Sequence, residues 1–198
     1  PGETGTVANA LVARWPALAS VGADPREAGL CHRLDVETSG TMLVAKTPEV
    51  WTTMRAAFSE SGGVDKRYLA LVRGPLADDG EIELPLVHAG DHVRPAIEGE
   101  EARPAKSSFT VLKRKGVISL VEVRLFTGVL HQVRAHLSAI GAPIIGDTRY
   151  GGRAEADLSR FFLHAASLTF THPVTGQTTK VESPLPPELS RVLERLVP

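Results

Sequence analysis

Apolar positions along the chain repeat with two periods, and the two periods mark out its elements. Val50, Met54, Ala57 and Phe58 fall on one face of a helix, with Thr47-Pro48 ahead of them as an N-cap and a first-turn proline and Gly62-Gly63 behind as the stop. Leu130, Val133, Leu137 and Ile140 make a second stripe that ends at Gly141, with Pro143 beyond. A third helix starts at Pro187 and buries Leu189, Val192, Leu193 and Leu196, and Thr6 caps a short fourth over residues 6–14. Strand patterns occupy residues 41–46, 67–73, 107–113, 118–126 and 163–171; in the second, alternation sends Tyr68, Ala70 and Val72 to one face and Leu69 and Leu71 to the other. The Gly-, Pro- and acid-rich stretch 75–104 predicts a meander of short strands and loops. Strands come in runs without strict alternation with helices. This predicts an α+β fold with a mixed, largely antiparallel sheet and flanking helices, in a single domain over residues 1–198.

Composition narrows the classes. The hydrophobic fraction of 42% is ordinary for a globular chain, and no apolar run reaches the ~20 residues of a membrane helix. The one cysteine, Cys31, has no partner for an internal disulfide, which suits a reducing compartment and a cytoplasmic protein, with a monomer as the default. The net charge of -1 lacks the basic excess usual in nucleic-acid binders, but it is unevenly spread. Between residues 78 and 101 stand eight acids against Arg94 alone, so the remainder, including Lys66, Arg67, Arg73, Lys113, Arg114 and Lys115, is positive.

Familiar catalytic templates are absent: no phosphate-binding GxxxxGK[ST], no strand-led GxGxxG, no GxSxG. His88 and His92 with Asp91 are the nearest approach to a metal set, in a loop unsuited to helical i,i+4 geometry. Cys31 beside His32 is more simply a buried thiol than a nucleophile. Three segments remain. The stretch from His32 to Gly40, HRLDVETSG, packs an imidazole, a guanidinium and a carboxylate (Asp35) ahead of a turn built by Thr38, Ser39 and Gly40. A presented functional group and an ordinary Arg33–Asp35 surface pair both fit it. The stretch TGVLHQVRAH, residues 127–136, places His131 and Arg134 on one helix flank, from which an arginine can pair with a carboxylate; a solvated helix face accounts for the flank more simply. In KRYLALVRG, residues 66–74, Tyr68 is a half-buried strand aromatic or a wall for a stacked base.

HRLDVETSG, KRYLALVRG, TGVLHQVRAHLSAIGAPIIGDTRYGG and LHAASLTFTHPVTG, in this order and spacing, resemble the RluA/RluD-type pseudouridine synthases over nearly the whole chain. The resemblance implies the synthase catalytic fold, isomerisation of uridine in structured ribosomal or transfer RNA, and no cofactor, metal or nucleotide. By position it makes Asp35 the catalytic aspartate, Arg134 its charge partner and Tyr68 the residue that stacks on the target base, with His32, Arg33, His131 and Gln132 toward the substrate. Two departures stand out: Val129 replaces the arginine of the usual TGRxHQ, and only Pro1-Gly2 remains of an upstream KPxG turn. Two rival readings use the same residues: a non-catalytic RNA-binding module, and a nucleoside or glycoside hydrolase with Glu37 or Asp147 as second acid.

Overall fold

The computed structural model describes residues 4–60 and 63–198. Thr6 caps helix α1 (Val7–Arg14) through a reciprocal capping box, its hydroxyl accepting from the Asn9 amide and the Asn9 side chain accepting from the Thr6 amide. Thr47 caps α2 (Pro48–Ser59), which has proline at its first position as expected; Gly62, expected to help close it, lies outside the described residues. Contacts gather the chain into two units. One comprises residues up to Leu34, Met42–Val64 and Phe170–Thr179; the other comprises Asp35–Thr41, Asp65–Thr169 and Lys180–Pro198.

In the first unit, Leu18, Val21 and Ala28 form a small core under Leu11 and Val12 of α1 and Trp51 of α2. The predicted strand over residues 41–46 does not form. The Leu43 amide donates to Nε2 of His32 at 2.9 Å, the Cys31 amide to the Leu43 carbonyl, and the Ala45 amide to the Gly29 carbonyl. With a side chain taking one ladder position, only the Leu30–Val44 bridge is left of a strand pairing.

A mainly antiparallel sheet, most of whose residues belong to the second unit, comprises β1 (Ser39–Gly40), β2 (Val64–Arg73), β3 (Asp79–Glu83), β6 (Lys106–Lys115), β7 (Ile118–Leu125), β8 (Leu163–Thr171) and β9 (Thr178–Glu182), in the order β1-β8-β2-β7-β6-β3 with β9 also on β8. A separate hairpin pairs β4 (Leu86–Ala89) with β5 (His92–Pro95), the meander expected between residues 75 and 104. The α+β class therefore stands. The central strands are buried: Ala70, Leu71 and Val72 of β2 join Val121 and Val123 of β7 in a core closed by Val133 and Leu137 of α3 (Gln132–Ala139) and Leu189 and Val192 of α4 (Pro187–Leu196). β9 escaped the sequence pattern because its five residues, TTKVE, are mostly polar and exposed.

One buried polar residue ties α3 to the sheet. His136 is fully buried; its Nε2–H donates to the Leu84 carbonyl at 3.0 Å, and its Nδ1 accepts from the Ser107 hydroxyl of β6 at 2.6 Å. Replacing it by alanine orphans both partners and leaves a cavity, so His136→Ala is expected to cost about 3 kcal/mol. Urea denaturation checks this; a midpoint within error of wild type contradicts it.

Candidate active site

The site grows from a turn in the second unit. The Thr38 amide donates to the Asp35 carbonyl at 2.9 Å, closing a turn that leads directly into β1. Ser39 and Gly40 pair in parallel with His164 and Ala165 of β8. Only glycine fits the last position, because at φ +123° a Cβ would strike the Ala165 carbonyl. Arg160 holds the turn from outside, donating to the Glu37 carbonyl at 2.6 Å and to the Ser39 hydroxyl at 2.9 Å. His164 holds it from beneath: Nε2–H donates to the Ser183 carbonyl at 3.0 Å, and Nδ1 accepts from the Ser39 hydroxyl at 2.9 Å.

Opposite the turn, the first turn of α3 presents Arg134. Its guanidinium donates to both oxygens of Asp147, at 2.6 and 2.9 Å, and through Nη1 to Oδ2 of Asp35 at 3.1 Å. Its side chain is 7% exposed, that of Asp147 1% and that of Asp35 16%. The rings of Tyr150 and Phe161 lie over the guanidinium, 4.8 and 4.3 Å from their centroids. Burial alone would depress the Arg134 pKa, but hydrogen bonds and charge from Asp147 and then Asp35 outweigh it and leave the group raised. Asp147 itself sits in a loop whose Gly152 could not carry a Cβ, since it would strike the Ile144 carbonyl.

His131, just before α3, adopts a left-handed backbone (φ 51°, ψ 20°), uncommon for a residue with a Cβ and costly enough to need support from its surroundings. That backbone carries its ring to 3.8 Å of Oδ1 of Asp35, Nε2 to oxygen, with Nδ1 3.1 Å from the Tyr150 hydroxyl. Burial first, and Arg134 charge after it, lower the His131 pKa. Tyr68 is half-buried on β2, and burial, with the Asp35 carboxylate adding to it, pushes its phenol pKa well above the ordinary value.

The structure thus brings Asp35, Arg134 and His131 into one cluster, with Tyr68 within electrostatic range of Asp35. Gln132 is elsewhere engaged. Its amide is buried and accepts from the Thr127 hydroxyl and the Val129 amide while donating to the Lys106 carbonyl, so it shapes the loop before α3. Lys66 braces the same loop by donating to the Thr127 carbonyl at 3.3 Å, and burial lowers its pKa. Val129 packs with Leu130 against Leu86, Val93, Ala105, Ala135 and Tyr150, which accounts for an apolar residue there.

His32 and Arg33 belong to the first unit. The His32 ring stacks on Phe58 at 4.4 Å and accepts from the Leu43 amide, and Arg33 is exposed. Cys31 is buried, and burial raises its thiol pKa, the reverse of what a nucleophile requires. His92 lies against Asp91, which pairs with Arg149; among the described residues no three His, Cys, Asp or Glu side chains gather as a metal site. Among them, too, no helix is long and apolar enough to cross a membrane.

The sequence reading missed the parts played by Asp147 and Tyr150. Their signal was present in the segment GDTRYGG, where glycines bracket an acid and an aromatic three residues apart.

The sequence profile described as RNA pseudouridylate synthase matches residues 9–139, a span that takes in Asp35, Tyr68, His131 and Arg134. The chain belongs to the RNA pseudouridylate synthase family. It is 40% identical over 194 residues to a protein of Chloroflexus aurantiacus named an uncharacterized RNA pseudouridine synthase, covering 97% of this chain and 60% of that protein. To the ribosomal large subunit pseudouridine synthase D of Xanthomonas campestris it is 36% identical over 206 residues, again covering 97% and 60%. Among solved structures, human RNA pseudouridylate synthase domain containing 4 superposes with a TM-score of 0.71 at 26% identity, over 84% of this chain and 75% of that one. The chain therefore spans about 60% of the length of these curated relatives, and the family profile stops short of Asp147 and Tyr150.

Two outcomes are expected from this geometry. Asp147→Ala leaves a buried guanidinium with a single carboxylate and should destabilise the fold by about 3–5 kcal/mol in urea titrations, whereas an exposed pair would cost well under 1. The second concerns pH. His131, His136 and His164 have folded pKa values lowered, each chiefly by burial. The unfolded chain takes up protons as pH falls through about 6.5, while the folded chain takes them up only at lower pH. Stability should therefore hold steady above pH 7.5 and fall as pH drops below 6.5, and His164→Gln should flatten that slope. A melting temperature unchanged between pH 7.5 and 5.5 contradicts the assignment.

Proposed function

We propose that this chain isomerises uridine to pseudouridine in structured RNA, with Asp35 as the catalytic carboxylate. The observation that carries the reading is the clamp on Asp35: a carboxylate whose Oδ2 accepts from an arginine that is itself held by a second carboxylate. The second carboxylate spends both oxygens on Arg134, so it is no free acid, and this weighs against a hydrolase that needs two working carboxyl groups.

The reaction breaks the N1–C1′ bond, keeps the uracil in the site, turns it and joins its C5 to C1′. The hydrogen on C5 leaves as a proton and N1 gains one, so the product is an isomer and no oxidant or phosphoryl donor enters. A carboxylate serves this chemistry as a nucleophile at the sugar carbon, or as a base on the sugar. Arg134 keeps it aimed, as preorganised groups do in a largely buried site. Tyr68, its phenol kept protonated across the neutral range, is the wall against which the base stacks. The target nucleotide leaves its helix or loop to enter, at a cost of about a few kcal/mol and least where it is already unpaired. From the name of the Xanthomonas relative we take large-subunit ribosomal RNA, modified in the cytoplasm, as the substrate ahead of transfer RNA.

The test is pseudouridine mapping of total RNA from cells with and without the gene, rescued by wild type or by Asp35→Asn. One or more sites should vanish and return with wild type alone, and purified Asp35→Asn should bind RNA yet turn over roughly a thousandfold more slowly, the scale of a lost nucleophile. Full activity in that variant removes Asp35 from the mechanism; an unchanged map leaves RNA binding as the function of this scaffold.

A further inference from the structure

Among the described residues the Tyr150 hydroxyl has two hydrogen-bonding neighbours, and their chemistry decides where its hydrogen goes. The Val93 amide of β5 donates to it at 3.1 Å, and His131 Nδ1 stands 3.1 Å away. If Nδ1 carried a hydrogen, the hydroxyl would accept twice and its own proton would lie in a residue only 8% exposed, without an acceptor. The satisfied arrangement has Tyr150 donating to a bare Nδ1, which puts the imidazole hydrogen on Nε2, the atom facing Oδ1 of Asp35.

We propose that Tyr150 is a positioning residue for the reaction, fixing His131 as the Nε2–H tautomer so that a neutral imidazole turns its Nε2–H toward Oδ1 of Asp35, 3.8 Å away and beyond direct hydrogen-bond reach, while Arg134 holds Oδ2. The inference rests on the reading of Asp35 given above. The charged groups facing the ring are Asp35, Arg134, Arg149 and Asp147, and His92 packs on the far side of Tyr150. Within that set the neutral tautomer turns the positive end of an N–H dipole toward Asp35 without a second full positive charge beside Arg134. The Tyr150 ring meets His131 edge-on at 5.8 Å and covers Arg134, so its phenyl group packs even when the hydroxyl is removed. The hydroxyl also brings the β4–β5 hairpin to bear on the site, through the Val93 backbone amide.

Tyr150→Phe isolates the hydroxyl. In protein labelled with 15N-histidine, long-range proton–nitrogen correlation reads the tautomer of each ring, with the His131 signals identified by their loss in His131→Asn. Wild type should show His131 protonated on Nε2. Tyr150→Phe should mix the two tautomers and raise the His131 pKa, since a hydrogen bond accepted by Nδ1 favours the neutral ring. On total RNA extracted from cells lacking the gene, kcat should fall about fivefold to tenfold with KM unchanged, the rate equivalent of one neutral hydrogen bond. A wild-type His131 protonated on Nδ1 overturns the proposal, as does a tautomer or a kcat that ignores the substitution. Full activity in Asp35→Asn instead sinks the function proposed above, and the labelled spectra still judge the hydroxyl.

Discussion

A guanidinium buried between two carboxylates is the interaction on which the rest of the site depends. Taking a charge out of water costs several kcal/mol per ion, and only close geometry with further hydrogen bonds offsets it. Arg134 meets that condition through a two-pronged bond to Asp147, a third bond to Asp35 and aromatic rings over its plane. The requirement propagates outward. Helix α3 must present Arg134, the loop around residue 147 must present its acid, and the turn at Asp35 must close. Misplacing any one of the three leaves a charge stranded, so a single cation coordinates segments about a hundred residues apart.

The buried histidines share one design. His136 and His164 each give a hydrogen from Nε2 to a backbone carbonyl and take one at Nδ1 from a serine hydroxyl. His131 is placed in a related way but is only part-buried, with the Tyr150 hydroxyl 3.1 Å from Nδ1 and Asp35 at 3.8 Å from Nε2, too far for a hydrogen bond. Burial lowers the pKa of each ring and so favours its neutral form. Neutral rings in fixed tautomers orient their neighbours without adding charge to a cluster already centred on one arginine.

Much of this was legible in the sequence, and what was hidden follows a rule. Helices α2 and α4 and strand β8 follow from apolar spacing that agrees with tertiary burial, while α1, which buries no residue fully, follows from its capping residue. Residues 41–46 carry a strand pattern, yet a histidine side chain takes a place on the ladder, something no periodicity reveals. Asp35 and Arg134 stood out through motif resemblance. Asp147 stood in the same resemblance and as a candidate second acid, but its pairing with Arg134 did not show, because that role lies in burial against an arginine thirteen residues earlier rather than in its own neighbours. Gln132 looks substrate-facing from its motif and is turned inward in the fold, since Thr127 and Val129 of the preceding loop and the Lys106 carbonyl of β6 converge on its amide.

The parallel pairing of β1 with β8 also sets a clock. Ser39 finds His164 across 125 residues of chain. During synthesis at roughly 5–20 residues per second, the turn bearing Asp35 precedes its anchor by on the order of ten seconds. Until β8 has been made, neither Ala165 nor His164 exists to hold that turn, and Arg160 has not yet been added. A half-made chain on a ribosome therefore carries the Asp35 carboxylate before the residues that hold its turn in place. Topology alone delays the ordering of that turn until the sheet can close.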